Sequence, residues 1–144
     1  MATRNAKSKI KAKTKSKTKL KAKSQAKSHK SIGIAQMKRA IEGRKARALA
    51  SFYTDDAVMH IVDRDNPPSN PNTLVGKDAI VAYFDDVCGR DMTHELVKGV
   101  ADDNHIAFTQ SCAYPDGTKV LCSTMIELED GMIVKQTVVQ AWDG

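Results

Sequence analysis

Residues 52–58, Phe52-Tyr53-Thr54-Asp55-Asp56-Ala57-Val58, close a helical pattern and open a strand pattern. Upstream, apolar residues recur at helical spacing, and they are Ile34, Met37, Ile41, Ala48, Leu49 and Phe52. Downstream, residues 57–62 are mostly apolar and rich in β-prone types. Asp55 and Asp56 look like a paired carboxylate site, but their position favours capping of a helix-to-strand turn. The stretch therefore predicts a pair of helices that leads into a sheet.

Turn signals and hydrophobic periodicity predict the other elements. Ser31 can cap a helix that ends at Glu42, where Gly43 is a C-terminal stop. Two more helices are predicted, over residues 44–53 and 77–87, and residues 65–72 are predicted to form an irregular loop. Four strands are predicted over residues 92–101, 105–114, 119–129 and 132–142. Helices followed by four strands with short turns predict an α+β fold, in which a curved antiparallel sheet wraps over the helices.

Charge divides the chain into two parts. Residues 1–30 hold Arg4 and eleven lysines but no acid, and so carry +12, whereas residues 31–144 hold 11 basic and 17 acidic residues. Lysine occupies every odd position from Lys7 to Lys23, which leaves little apolar area to bury. The pattern predicts a disordered tail over residues 1–30 and one folded domain over residues 31–144. The tail either binds a polyanion such as nucleic acid or anionic lipid, or only keeps the chain solvated.

Cysteine usage and hydropathy favour a cytoplasmic protein. No apolar segment follows the charged N-terminus as in a secretory signal, and no apolar run approaches the length that spans a bilayer. The three cysteines, Cys88, Cys112 and Cys122, are an odd number without metal-ligand spacing. With no zinc or di-iron ligand pattern and no glycine-rich phosphate loop, we expect a pocket that needs no metal or cofactor.

The strand faces predict where that pocket lies. Glu127 and Glu129 must face water, so Cys122 and Thr124 of the same strand face the helices. The same alternation places further side chains on the concave face, namely Ile106, Phe108, Gln110, Cys112, Tyr114, Gln136, Val138, Gln140 and Trp142. Apolar walls with a few uncharged polar groups are typical of a ligand pocket. The alternative is that some of the glutamines face a dimer partner.

Four side chains are candidates for chemistry. Asp63 continues the inward face of the first strand, where it is either a general base or the cap of the loop that follows. His94 is either a pocket group or a sheet-surface residue, because a bulge would reverse its face. Cys112 and Cys122 fall on adjacent strands and on one face, where they either form a disulfide or, as a reducing compartment favours, stay free and buried.

The motif at residues 52–58 and the strand patterns after it resemble the NTF2-like superfamily, which includes SnoaL-like and ketosteroid-isomerase-like domains. The resemblance covers residues 34–142. It implies a cone, in which N-terminal helices are packed in the concave face of a bent antiparallel sheet, and in many members a homodimer. It also implies that Tyr83 and Phe108 are aromatic walls of the pocket.

The resemblance is weaker for the reaction than for the fold. Ketosteroid isomerases use a carboxylate base, a helix tyrosine and a protonated acid. The resemblance places these groups near Ile61, Met37 and Thr124, where this chain has none of them. Steroid isomerisation is therefore disfavoured.

The sequence thus predicts a small-molecule-binding domain, either an isomerase, cyclase or hydratase of a small apolar or amphipathic substrate, or a binder without activity. Asp63 and His94 are the predicted catalytic residues. The predicted ligand-binding residues are Tyr83, Phe108, Gln110, Cys112, Thr124, Gln140 and Trp142. The alternative function is a non-catalytic interaction module that the lysine-rich tail tethers to nucleic acid or another polyanion.

Overall fold

The computed structural model describes residues 32–144. Its helices are α1 (Ile34–Glu42), α2 (Ala46–Ala50) and α3 (Lys77–Gly89). Its strands are β1 (Tyr53–Val62), β2 (Asn72–Val75), β3 (Thr93–Ala101), β4 (His105–Ala113), β5 (Lys119–Glu129) and β6 (Met132–Trp142). The predicted tail and the proposed helix cap at Ser31 lie outside the described residues.

The six strands form one sheet in the order β2-β1-β6-β5-β4-β3. Strands β3 to β6 pair antiparallel with their neighbours in sequence, which confirms the predicted meander. Strand β1 extends the sheet by pairing parallel to β6, so the sheet is mixed rather than antiparallel throughout. Strand β2 pairs antiparallel with β1 and was not predicted, because its four residues are mostly exposed and show no apolar face. The α+β class with helices on one side of a bent sheet is confirmed.

Strand β1 begins earlier than the sequence predicts. Tyr53 lies opposite Ile133 and Val58 lies opposite Lys135, so the residues between Tyr53 and Val58 bulge out of register with β6. Asp55 and Asp56 are exposed inside this bulge. Asp56 Oδ1 accepts a hydrogen bond from the Thr54 hydroxyl at 3.0 Å. The predicted helix-to-strand turn capped by these carboxylates is therefore wrong, since both residues already belong to the strand.

Helix α1 starts and ends at glycines. Gly33 is its N-cap, and the Gly33 N–H donates to Gln36 Oε1 at 2.9 Å. The helix ends at Glu42 with Gly43 as C-cap, as predicted. Helix α2 is shorter than its predicted 44–53 because the chain enters β1 at Tyr53, and α3 continues beyond its predicted end to Gly89.

The alternation of burial along β5 is complete. Its inward residues, Val120, Cys122, Thr124, Ile126 and Leu128, are all buried, and every residue between them is exposed. Helix α1 packs against β3 and α3 packs against β1, which covers this inner face. Burying a large apolar side chain is worth roughly 1.5–3 kcal/mol, and the largest fully buried ones are Tyr53, Met37, Met59, Ile61, Ile80, Ile106, Ile126 and Ile133.

A carboxylate and a glycine set the distance between α1 and β3. Glu42 Oε2 accepts the Leu96 N–H at 3.0 Å and pairs with Lys38 Nζ at 2.7 Å, beside the bulge between Leu96 and Lys98. Past the bulge, a Cβ atom on Gly99 would lie 2.6 Å from Ile34 Cδ1 and 3.1 Å from Phe108 Cβ. The missing side chain at Gly99 therefore allows α1 to approach the sheet.

We expect Gly99→Ala to lower the free energy of unfolding by about 1–3 kcal/mol, because the added methyl overpacks the contact between α1 and β3. Urea unfolding of full-length protein measures the loss. Gly89→Ala is the matched control, since a Cβ atom there has nothing within 4 Å and Gly89 is exposed in the last turn of α3. That control should be neutral or stabilise by up to about 1 kcal/mol. Equal stability of the two variants would contradict the packing argument.

Candidate functional site

A cavity of about 460 Å³ lies between the concave face of the sheet and the helices. Its apolar wall comes from both layers, with Met37 and Ile41 from α1, Phe84 from α3, and Met59 and Val138 from the sheet. The helices are too short to fill the whole concave face, and the space left over is the cavity. A pocket of this size can enclose a small organic molecule.

Every candidate site residue from the sequence lies on the wall of this cavity. They are Asp63, Tyr83, His94, Phe108, Gln110, Cys112, Thr124, Gln140 and Trp142. The concave positions predicted from strand alternation are thereby confirmed, whereas the role of each side chain in binding or catalysis remains a prediction. The glutamines of β4 and β6 line the cavity rather than the outer face of the sheet.

The bulge in β3 decides the orientation of His94. On the turn side of the bulge, Gly99 lies opposite Phe108, and on the far side His94 lies opposite Cys112. Counting back from the turn without the bulge would pair His94 with Ala113 and point it away from the pocket. The bulge moves the imidazole to the concave face, which the sequence could not establish.

His94 and Cys112 form the centre of a polar cluster in the cavity wall. His94 Nδ1 lies 3.2 Å from Cys112 Sγ. Gln110 Nε2 is 3.2 Å from the same sulfur and 2.9 Å from His94 Nδ1. Cys122, on the next strand, lies opposite Gln110. All three cysteines are free, and Cys112 and Cys122 are buried, as predicted.

The neighbours of Cys112 favour its thiolate form. A hydrogen bond from Cys122 lowers the pKa of the Cys112 thiol; burial opposes this change, and hydrogen bonds from His94 and Gln110 add to it. The pKa of Cys122 rises because its proton is held by Cys112 and because it is buried.

Two tyrosines carry hydroxyl groups into the cavity wall. The Tyr53 hydroxyl donates to Gln136 Oε1, and burial raises the pKa of Tyr53. The Tyr83 hydroxyl accepts from Gln140 Nε2 at 3.5 Å, and burial raises the pKa of Tyr83 to about 12. Both phenols are thus neutral at physiological pH, and the Tyr83 hydroxyl keeps its own proton to donate to a bound molecule.

The exposed end of the cavity carries aromatic and charged groups. The Arg64 guanidinium carbon lies 4.5 Å from the centre of the Trp142 ring. Trp142 stacks on Tyr114 at 6.0 Å, and the Tyr114 hydroxyl accepts a hydrogen bond from Arg90 at 3.0 Å. Arg90 also pairs with Asp86 at 2.7 Å. The site is therefore apolar with uncharged polar groups inside, and charged at its entrance.

Asp63 has the geometry of a loop cap. Its Oδ1 accepts hydrogen bonds from the backbone N–H groups of Asp65 and Asn66 and from Asn66 Nδ2, each at 2.9 Å. Burial opposes the charged form, but these three bonds outweigh it and lower the pKa of the Asp63 carboxyl. Partial burial of Asp63 therefore does not raise the pKa of its carboxyl above the ordinary value. A carboxylate of low pKa is a weak base, although it stays ionised at neutral pH.

The architecture of this domain matches that of a known class of proteins. A helix layer packed in the concave face of a bent sheet, with a cavity between them, defines the NTF2-like class. The SnoaL-like domain matches residues 34–136, and the chain belongs to this family. Among curated proteins, none is significantly similar to this chain.

Solved structures share the fold at low sequence identity. A protein from Kribbella flavida DSM 17836, provisionally named a ketosteroid isomerase, is 14% identical with a TM-score of 0.62, over 74% of this chain and 73% of that chain. An NTF2-like protein of unknown function from Mesorhizobium loti is 13% identical with a TM-score of 0.64, over 81% and 92%. Another from Burkholderia xenovorans LB400 is 18% identical with a TM-score of 0.62, over 76% and 79%. These similarities establish the fold alone.

The positions that the family resemblance assigns to isomerase chemistry are part of the wall. Ile61, Met37 and Thr124 all line the cavity. None of them is a carboxylate or a phenol, so the acid, base and oxyanion donors of a steroid isomerase are missing at those places. The pairing of His94 with Cys112 is the group that sequence reasoning did not find, because it depends on the bulge in β3.

We expect Asp63→Asn to lower the free energy of unfolding by about 1 kcal/mol at pH 7, because a neutral amide accepts the three loop hydrogen bonds less strongly. The lowered pKa of Asp63 means that its contribution is present above the unfolded-state pKa, near 4, and is lost as pH falls through the folded-state pKa. The difference between wild type and variant should therefore shrink below pH 4. Asp65→Asn, an exposed change in the same loop, should show no such difference. Parallel pH profiles for the two variants would exclude the capping role.

Proposed function

We propose that this chain binds a small apolar or amphipathic molecule in the cavity between the helices and the sheet. The observation that carries the proposal is the cavity of about 460 Å³, whose wall mixes apolar side chains with a few uncharged polar groups. A cavity that served packing alone would not need Gln110, Gln136 and Gln140 on the concave face. These amides offer hydrogen bonds to a carbonyl or hydroxyl group of the ligand.

The two ends of the cavity favour a particular ligand shape. Buried Met59 and Ile61 belong to the apolar wall of the cavity. The outer end has Arg64 over the Trp142 ring, with Arg90 nearby. The apolar part of the ligand is therefore placed deep in the pocket, and its polar group lies near the entrance.

We further propose acid–base chemistry without a cofactor, of the isomerase, cyclase or hydratase kind. His94 and Asp63 are the two candidates for moving a proton. His94 has the stronger support, because it faces the cavity beside Cys112 at 3.2 Å, whereas the three hydrogen bonds on Asp63 weaken it as a base. Within residues 32–144, no group of three or more His, Cys, Asp or Glu side chains is placed to hold a metal ion.

The pocket is tested by filling it. Gln140→Trp adds an indole to the cavity wall, and we expect it to abolish ligand retention while the protein stays folded. Native mass spectrometry of protein freshly isolated from its own host measures the retained ligand. Asp103→Trp adds the same indole to the exposed turn between β3 and β4 and should retain the ligand. Equal retention by both variants would place the ligand outside the cavity.

We also propose that the chain forms a homodimer through the outer face of the sheet. The register aligns Val100, Ala107, Met125 and Thr137 across β3 to β6 on that face. Val100 is 69% exposed, Met125 54% and Val139 49%, which leaves an apolar surface for a second copy of the chain to cover.

Met125→Glu introduces a charge in the middle of that surface, and we expect it to convert the dimer to monomer. Sedimentation or light scattering at micromolar concentration measures the mass. Ser69→Glu, in the exposed loop between β1 and β2, adds the same charge elsewhere and should stay dimeric. A monomeric wild-type protein would refute the proposal outright.

The alternative function places the chain's role in its tail. Residues 1–30 carry +12, which favours binding of nucleic acid or another polyanion, and the domain would then be a tethered interaction module.

A cytoplasmic location remains part of the proposal, since a reducing compartment keeps the three free thiols reduced. No helix within the described part of the chain is long and apolar enough to cross a membrane.

If the tail binds duplex DNA through about six of its cationic groups, log affinity should fall with log salt at a slope of about −5. Fluorescence anisotropy over a range of salt concentrations measures this slope. A shortened chain that starts at Ser31 should lose DNA binding but retain the pocket ligand. DNA affinity that survives this deletion, or that does not change with salt, would exclude the tail as the binding element.

A further inference from the structure

Three neighbouring strands bring a thiol, an imidazole, an amide and a second thiol to one spot on the cavity wall. The register pairs His94 of β3 with Cys112 of β4, and Gln110 of β4 with Cys122 of β5. All four side chains line the same cavity. His94 and Gln110 each have a hydrogen bond to the Cys112 sulfur.

A sulfur with two hydrogen-bonding neighbours is more than a small apolar filler. A structural buried cysteine is inert and needs no polar neighbours. Within residues 32–144, His94 Nε2 is a buried side-chain nitrogen that lacks a hydrogen-bond partner. Leaving a buried polar atom unpaired costs free energy, so the imidazole position is not explained by packing alone.

We propose that Cys112 is a nucleophile, activated by His94, that adds reversibly to α,β-unsaturated carbonyl compounds bound in the cavity. The proposal rests on the proposed function, because the compound must enter the pocket, and it names the class of ligand. An apolar carbon chain conjugated to a carbonyl fits a pocket with apolar walls and a few amide donors. A thiolate is a soft nucleophile, well suited to the soft β-carbon of such a compound.

The step conserves atoms and electrons. His94 Nδ1 takes the proton of the Cys112 thiol, and the sulfur forms a bond to the β-carbon of the ligand. The π electron pair of the double bond moves toward the carbonyl, and His94 returns the proton to the α-carbon. Nothing is oxidised or reduced. In the adduct, the bond between the α- and β-carbons is single and can rotate. Reversal of the addition after this rotation would interconvert the cis and trans isomers of the ligand, which is an isomerase reaction.

The surroundings favour this chemistry over acyl transfer. Acyl transfer needs at least two donors aimed at a tetrahedral oxyanion, and backbone N–H groups are the usual source. Around Cys112, β4 is paired on both sides, with β3 and with β5, so its backbone N–H groups belong to the sheet ladders. Conjugate addition spreads its charge over an enolate and requires only side-chain donors such as Gln110.

The test uses full-length protein and 2-cyclohexen-1-one as the probe. We expect one equivalent of the enone on native protein, mapped by peptide mass spectrometry to Cys112. Cys112→Ser should remove the adduct. Cys88→Ala is the matched control and should leave the rate unchanged, because burial raises the pKa of the Cys88 thiol and makes it the poorer nucleophile.

The role of His94 is read from the pH dependence of the adduct rate. Two titratable groups are next to Cys112, namely His94 from β3 and Cys122 from β5. Tyr83 of α3 lies beside Cys122, and Arg90 and Asp63 lie nearer the entrance of the cavity. We expect His94→Gln to slow the reaction by roughly tenfold or more at pH 7, and to approach the wild-type rate above about pH 9, where an ordinary thiol ionises unaided. A purely structural role would give the same ratio at both pH values.

Several outcomes would overturn the proposal. One is an enone adduct on Cys88 or Cys122 in place of Cys112. Another is an equal rate of adduct formation in wild type and His94→Gln at pH 7. A third is a Cys112 to Cys122 disulfide under mild peroxide in a protein that forms no enone adduct. The pocket itself is tested separately, by the ligand retention of wild-type and Gln140→Trp protein in native mass spectrometry. Wild-type protein that retains its ligand but forms no enone adduct would refute the nucleophile and leave the binding function in place.

Discussion

The period-two alternation of β5 is the constraint on which the rest of the structure depends. Glu127 and Glu129 cannot be buried without partners, so the residues between and beyond them form the inner face. Because β5 pairs with both β4 and β6, its register also determines which residues of those two strands lie on the inner face. Phe108 lies opposite Thr124, and Val138 lies opposite Thr124 from the other side. One strand thus determines which side chains of three strands reach the cavity.

A concave sheet covered by short helices leaves space that must be either filled or lined. The polar groups on the inner face satisfy one another there, as in the hydrogen bond between Tyr53 and Gln136 and the contact of Gln140 with Tyr83. Each buried polar group without such a partner would cost about 1–3 kcal/mol. The lining is therefore a compromise between stability and function, and His94 Nε2 is the place in the described chain where the compromise leaves a buried side-chain atom unpaired.

Solved structures of 13–18% identity share the fold of this chain. The fold requires alternation and apolar contacts, which many residue types supply, whereas chemistry requires particular groups at particular places. In this chain the places near Ile61, Met37 and Thr124 are lined without acid or phenol. A thiol and an imidazole stand on β4 and β3 instead. Membership of the SnoaL-like family therefore defines the fold of this chain and does not specify a reaction.

The sequence by itself determined the α+β class, the meander, the inner face of β4, β5 and β6, and the end of α1 at Gly43. These features follow from local periodicity, turn residues and charge, which act over a few neighbouring residues. The tertiary structure alone decided the parallel pairing of β1 with β6, because the partner lies about 80 residues away and either edge of the meander satisfies the same local pattern. It also decided that Asp63 is held by its loop, since that depends on the path of Asn66. Most of all it decided the face of His94. A single extra residue between Leu96 and Lys98 moves the His94 side chain to the opposite side of the sheet, and this bulge cannot be recognised from the hydrophobic pattern.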